Sequence, residues 1–208
     1  MTALAHEVTP VVNNPVPDLD EVLWQAWKAM DLPEGYRAEI IEGAIEVSPT
    51  GRRRHTVLIN RLRRALEAHL KGSDYAAYQD GNIIYRRKAW IPDLFVAPED
   101  LDEIPDEEDL GIDAAGVAMV VEVVSPGSRN IERDRDRVRK RREYSRAGIP
   151  VYVIIDDFDE EGAVLVLSLP NEKKATYEEE HRVPYGTEAV VPSGPAKGLA
   201  IGEEITRS

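Results

Sequence analysis

Residues 119–128 read MVVEVVSPGS, and the fold turns on how that stretch is read. A run of Met and Val this long describes a strand covered on both faces, as in a parallel or mixed sheet. Its one charge, Glu122, is costly in such a place unless it is paired or holds a metal. Ser125-Pro126-Gly127-Ser128 then ends the strand with turn residues. In open sheets, ligands bind beyond the strand ends. A carboxylate placed there raises the question of what else converges on it.

Working outward, the pattern supplies partners for that strand. Residues 1–17 are expected to form a flexible, Pro-containing arm, and 18–208 a single domain. DLDEVLWQAWKAM (18–30) has an acidic cap and apolar residues at helical spacing. RAEIIEGAIEVSP (37–49) alternates around Glu42-Gly43 and predicts a hairpin. RRRHTVLINRLRRALEAHLKG (52–72) sets Leu58, Leu62, Leu66 and Leu70 on one stripe and stops at Gly72. Short strands are expected at YAAYQ, at NIIYR and at IPDLFVA (91–97), with an acidic loop over 99–116. A charged helix over 131–146 closes at Gly148 and Pro150. VYVIID (151–156) and AVLVLSL (163–169) are strands, and the remaining tail mixes strand and loop. The expected class is a mixed α/β (α+β) domain around a central sheet.

Composition limits the function. A chain of 208 residues, 42% hydrophobic and 31% charged, is that of a water-soluble globular protein. With no cysteine it has no disulfides, thiolate nucleophile or Cys-ligated zinc, which fits a cytoplasmic protein. The first residues lack a basic start followed by an apolar core, so no signal peptide is expected, nor any membrane partner. The net charge of −13 opposes a general affinity for nucleic acid. That charge is uneven. Acids gather in 99–110, 156–161 and 178–180, and bases in 51–55 and 131–146, where eight Arg or Lys face four Asp or Glu. Such blocks are ordinarily solvated faces, yet two basic segments on an acidic molecule can focus a polyanion into one cleft.

Pro92-Asp93 opens an apolar strand much as Glu122 closes one. Two carboxylates converging at a sheet edge are the oxygen ligands suited to Mg²⁺, with Mn²⁺ a substitute. On the charged helix Asp136, Lys140 and Tyr144 fall at i, i+4 and i+8 and share a face. Lys140 can orient a water or stabilise charge developing on phosphate. The alternative stays open at this point: Asp136 and Lys140 as an exposed pair worth little, with Tyr144 packed in the core.

YRAEIIEGAIEVSP, His55, IPDLFV, VVEVVSPGS, DRVRKRREYSRAGIP and VYVIID, in that order, resemble the Uma2 (DUF820) family of restriction-endonuclease-like proteins, part of the PD-(D/E)XK nuclease superfamily. The resemblance runs from about Glu34 to the end of VYVIID and more loosely into the tail. It implies a restriction-endonuclease-like core, a central mixed β-sheet flanked by helices, and a Mg²⁺-dependent nuclease acting on DNA. Asp93 would be the PD aspartate, Glu122 the acid of the E-x-K element and Glu39 the early glutamate. The lysine due two residues after that acid is Val124 here. Lys140 stands where a lysine moved to the following helix would be. An aromatic residue that precedes the early glutamate in the family is Ala38 here.

His55 matches a family histidine that can touch phosphate; a capping or exposed histidine is the other reading. Arg52, Arg53 and Tyr144 are further substrate-binding candidates. Arg52, Arg53 and Arg54, with several of Arg133, Arg137, Arg139 and Arg141, are expected to rim the cleft. The acidic 99–110 loop should lie away from it or be mobile. A homo-oligomer is expected, a dimer by default. The competing expectation is the same fold without catalysis, serving as a binding or oligomeric module.

Overall fold

In a computed structural model describing residues 18–49, 53–124, 135–159 and 161–207, the first element is helix α1 (Leu19–Lys28). Asp20 and Glu21 in its first turn and Lys28 in its last suit the helix dipole. Trp24 is buried and stacks on Trp27, whose indole N–H donates to the Ala38 carbonyl at 2.9 Å. That bond ties α1 to strand β1 (Tyr36–Ile41), which pairs antiparallel with β2 (Ala44–Pro49). Ile41 faces Ala44, so Glu42-Gly43 form the whole turn, with φ of 47° and 76°. Two positive φ values make the turn type that matches strand twist.

Helix α2 (Arg53–His69) buries the expected stripe: Leu58, Leu62 and Leu66 are fully enclosed, and Leu70 continues it. Strands β3 (Tyr75–Tyr78), β4 (Ile83–Tyr85), β5 (Lys88–Trp90) and β6 (Leu94–Pro98) follow. The 99–116 segment is not all loop. It contains 3₁₀ turns at Leu101–Glu103 and Ala114–Gly116, and β7 (Ile112–Asp113), which pairs parallel with β4. Two side chains hold it: Asp106 accepts from the amides of Glu108, Leu110 and Gly111, and Glu108 accepts from Trp24, Lys28 and Arg87. The acidic loop therefore docks beside α1.

MVVEV forms β8 (Met119–Val123), buried along its length. Of the expected 131–146 helix, the described part starts with a π-helical turn, Arg135–Lys140, and continues as α3 (Arg141–Arg146). The wider turn brings Arg135, Asp136 and Lys140 together on the buried side; such local widening often marks a functional site. Strands β9 (Val151–Asp156), β10 (Ala163–Asn171), β11 (Thr176–Pro184), β12 (Ala189–Val190) and β13 (Ala200–Ile201) lead to α4 (Glu203–Thr206).

The central sheet runs β11-β10-β9-β8-β6-β3 among the described residues. Only β8 and β9 are parallel, which requires the crossover that carries the π turn and α3. One face packs Val121, Val123, Val153 and Ile155 under the leucines of α2. The other packs Val120, Tyr152 and Ile154 against Trp90, Ile41 and Tyr144. By strand alternation Glu122 belongs to the second face. No described helix is long and apolar enough to cross a membrane.

Candidate active site

β6 and β8 lie side by side, with Leu94 opposite Val121. One step further along that register puts Asp93 across from Glu122. Asp93 is nearly enclosed, and both its oxygens are engaged: Oδ2 accepts from the Val123 amide at 2.7 Å and contacts His55 Nε2 at 3.0 Å. Oδ1 accepts from Arg37 at 3.2 Å. Asp93 thus ties together β8, α2 and β1.

The hairpin contributes Glu39 and Arg37, two residues apart on one face of β1. Glu39 Oε1 accepts from the Ile91 amide at 2.8 Å and stands 2.9 Å from Lys140 Nζ. Its Oε2 is buried without a partner among the described residues. Basic side chains from α3 and the turn before it hold the hairpin against the body. Arg142 donates twice to Glu42, at 2.6 and 2.7 Å, and Arg139 pairs with Glu46 and donates to the Ile41 carbonyl at 2.7 Å.

From the crossover come Lys140 and Tyr144. Lys140 donates to Glu122 Oε1 at 2.8 Å, and the Tyr144 hydroxyl donates to the same oxygen at 2.6 Å. Beside them Arg135 donates to Asp136 at 3.0 Å, leaving Asp136 Oδ2 buried and unpaired among the described residues. Four carboxylates, Glu39, Asp93, Glu122 and Asp136, therefore share one interior region with Arg37, His55, Arg135 and Lys140.

One ammonium cannot offset both acids it touches, and the protons distribute accordingly. Burial pushes the Glu122 carboxyl up to about 8 against the pull of Lys140, with Asp93, Asp136 and Glu39 adding to the rise. Glu39 goes the other way: burial opposes ionisation, but Lys140, Arg135, Arg37 and the Ile91 amide hold it below the usual range. Asp93 is depressed too: burial opposes its ionisation, but its His55 contact, Arg37 and the Val123 amide outweigh that. Burial raises Asp136 despite Arg135. Lys140 stays charged: burial works against its ammonium, but Glu122 and Glu39 win. The result is a charged Glu39–Lys140 pair next to a Glu122 whose ionisation burial opposes.

The structure brings Glu39, Asp93, Glu122 and Lys140 into contact or close succession. His55, expected at phosphate, is nearly enclosed on the apolar stripe of α2 and turned to Asp93. Tyr144, expected at substrate, is fully buried: Trp90 and Tyr152 pack edge-on to its ring, and its hydroxyl supports Glu122. Arg53 is exposed at the start of α2. Arg52 and Arg133 lie outside the described residues, as does the SPGS segment. The other arginines expected to rim the cleft are committed to protein acids: Arg54 to Asp157, Arg137 to Asp156, Arg139 to Glu46 and Arg141 to Glu180. Sequence reasoning missed Arg37, although its spacing from Glu39 put both on one strand face. It also missed Arg135 as a buried cation.

Among the described residues, no three His, Asp or Glu side chains are arranged to cage a metal ion. The donors still fit Mg²⁺. All are carboxylate oxygens, one of them on Glu39 unpaired, and Mg²⁺ takes one or two carboxylates while keeping several waters. Asp93 and Glu122 are the pair that would hold it.

The model of the Uma2 family, described as "Putative restriction endonuclease", matches residues 24–201. No curated protein matches the chain. Among solved structures, the chain resembles "a putative nuclease belonging to DUF820" from Anabaena variabilis ATCC 29413, with a TM-score of 0.62 and 20% identity. That match covers 90% of this chain and 97% of the other, and at this identity the likeness is one of fold. The restriction-endonuclease-like core expected from the sequence is therefore the core present.

Proposed function

This chain belongs to the Uma2 family, and from that premise we propose that it is a Mg²⁺-dependent endonuclease hydrolysing phosphodiester bonds in DNA. The observation that carries the reading is the convergence of Asp93 and Glu122 on adjacent strand ends, with Lys140 placed on Glu122 from the crossover. Buried acids and a buried lysine are costly to keep, and here they gather at the ends of two adjacent strands. Strongly shifted carboxyls in one cluster are a mark of chemistry.

A divalent cation held by Asp93 and Glu122 would supply a Lewis acid at the scissile phosphate and ease deprotonation of water at neutral pH. Water oxygen bonds to phosphorus, one P–O ester bond breaks, and the leaving oxygen takes up a proton; no other reactant is consumed. The protein residues prepare that step. Val123 and His55 fix the Asp93 carboxylate, Tyr144 fixes Glu122, and Glu39 holds Lys140 at the Glu122 carboxyl. Two such sites would let both strands of a duplex be cut in one encounter, and a homodimer belongs to the proposal on that ground.

The test is incubation of purified protein with supercoiled plasmid in Mg²⁺, Mn²⁺ or EDTA, beside Asp93→Ala and Glu122→Ala. Nicked or linear product is expected with either metal and is lost with EDTA or either variant. A second reading, a non-catalytic binding or oligomeric module of the same fold, draws on the pairing of most cleft arginines with protein acids. Metal-independent DNA binding without cleavage would favour it.

A further inference from the structure

We propose that Arg37 is the residue that contacts the scissile phosphate; this rests on the nuclease reading and deepens it. Among the described residues, three cationic side chains and one imidazole face the carboxylate cluster, and donor accounting separates them. Lys140 is 0% exposed and held between Glu122 and Glu39. Arg135 is 8% exposed and paired with Asp136. His55 is 9% exposed and turned to Asp93. Arg37 is 18% exposed, the most open of the four, and makes a single long bond of 3.2 Å to Asp93 Oδ1.

A guanidinium carries five N–H donors in a planar fork. Nε of Arg37 is buried without a partner among the described residues, so the protein leaves this guanidinium short of acceptors. A phosphate oxygen is such an acceptor, and arginine takes phosphate through two parallel bonds. Arg37 also stands two residues before Glu39 on a strand anchored by α3, so its position is fixed before any ligand arrives. A guanidinium in contact with the scissile phosphate stabilises the negative charge that grows on the equatorial oxygens during in-line attack. The enclosed Lys140 then acts on Glu122 and is a positioning residue.

The test uses the full chain and three variants, Arg37→Ala, Arg37→Gln and Arg37→Lys. Arg37→Gln keeps a donor for Asp93 and serves if the alanine protein does not fold. Plasmid cleavage should fall about 10²–10³-fold in Arg37→Ala and Arg37→Gln and return in part with lysine. Mn²⁺ binding, followed by electron paramagnetic resonance, should be unchanged. Duplex DNA binding in Ca²⁺ should lose salt dependence by about one phosphate contact in the neutral variants and keep it with lysine. If the wild type cleaves and folded neutral variants cleave equally well, Arg37 is not the contact. Loss of cleavage that tracks loss of Mn²⁺ binding overturns the assignment as well. If the wild type does not cleave, the nuclease reading falls, and the contact is still decided by binding: equal affinity and equal salt slope in wild type and variants reject it. A wild type that binds no duplex at all rejects both.

Discussion

The Lys140 ammonium stands 2.8 Å from Glu122 Oε1, with neither side chain more than 1% exposed. Removing one member of a buried pair typically costs about 3–5 kcal/mol. Glu122 can soften that loss because burial already favours its protonated form. Lys140→Met should therefore destabilise the fold by about 2–3 kcal/mol, at or below the low end of that range. Urea unfolding of Lys140→Met, Glu122→Gln and the double variant checks this. The double variant should be more stable than the sum of the single losses predicts; strict additivity would mean the pair is not coupled.

Stability should bend with pH in opposite senses at two ends. Glu122 is raised to about 8 from 4.5, so the folded state holds its proton more tightly than the unfolded chain. Its contribution is full below pH 4.5 and is lost as pH rises through 8. Asp93 is depressed, so its contribution is present above its unfolded value and lost as pH falls through the acid range. Thermal melts from pH 3 to 9 should show both limbs, and Glu122→Gln should flatten only the alkaline one. An unchanged alkaline limb in that variant would assign the effect elsewhere.

Tyr144→Phe keeps the edge-on ring packing against Trp90 and Tyr152 and removes one bond to Glu122. The expected loss is about 1–2 kcal/mol of stability, with cleavage reduced more than DNA affinity. A calorimetric melt and a binding titration separate the two. Equal loss of binding and cleavage would place the Tyr144 hydroxyl at the substrate after all.

Gly43 has φ of +76° with open space where a Cβ would sit. Gly43→Ala therefore meets backbone strain and no clash, a cost of about 1 kcal/mol. A urea midpoint lowered by that amount is expected. A far larger drop would show that the turn tolerates no relaxation.

Much of this was legible because burial writes itself as period. Leu58, Leu62 and Leu66 follow helical spacing, Glu42-Gly43 marks the turn, and the Val run around Glu122 announces a strand covered twice. His55 lies on the same stripe as those leucines, so its enclosure could have been read from spacing, yet three preceding arginines argued for exposure. The 131–146 segment hid more. Its charge density reads as a solvated face, and only packing shows that Arg135, Asp136 and Lys140 turn inward. The same density suggested a basic rim, whereas Glu42, Glu46, Asp156 and Glu180, distant in sequence, engage four of its arginines. Pairings across such separations leave no local trace in the chain.

The parallel pairing of β8 with β9 also governs when the cluster can exist. A hairpin such as β1–β2 closes within a few residues and forms early, whereas a parallel pair must wait for its whole crossover. Lys140 rides in that crossover, and Met119 meets Val151 only after the intervening chain has been made. During synthesis Glu39, Asp93 and Glu122 therefore emerge well before the lysine that joins them. The cluster is complete only once the crossover has been made, so a chain truncated before Lys140 carries the acids without the lysine that joins them.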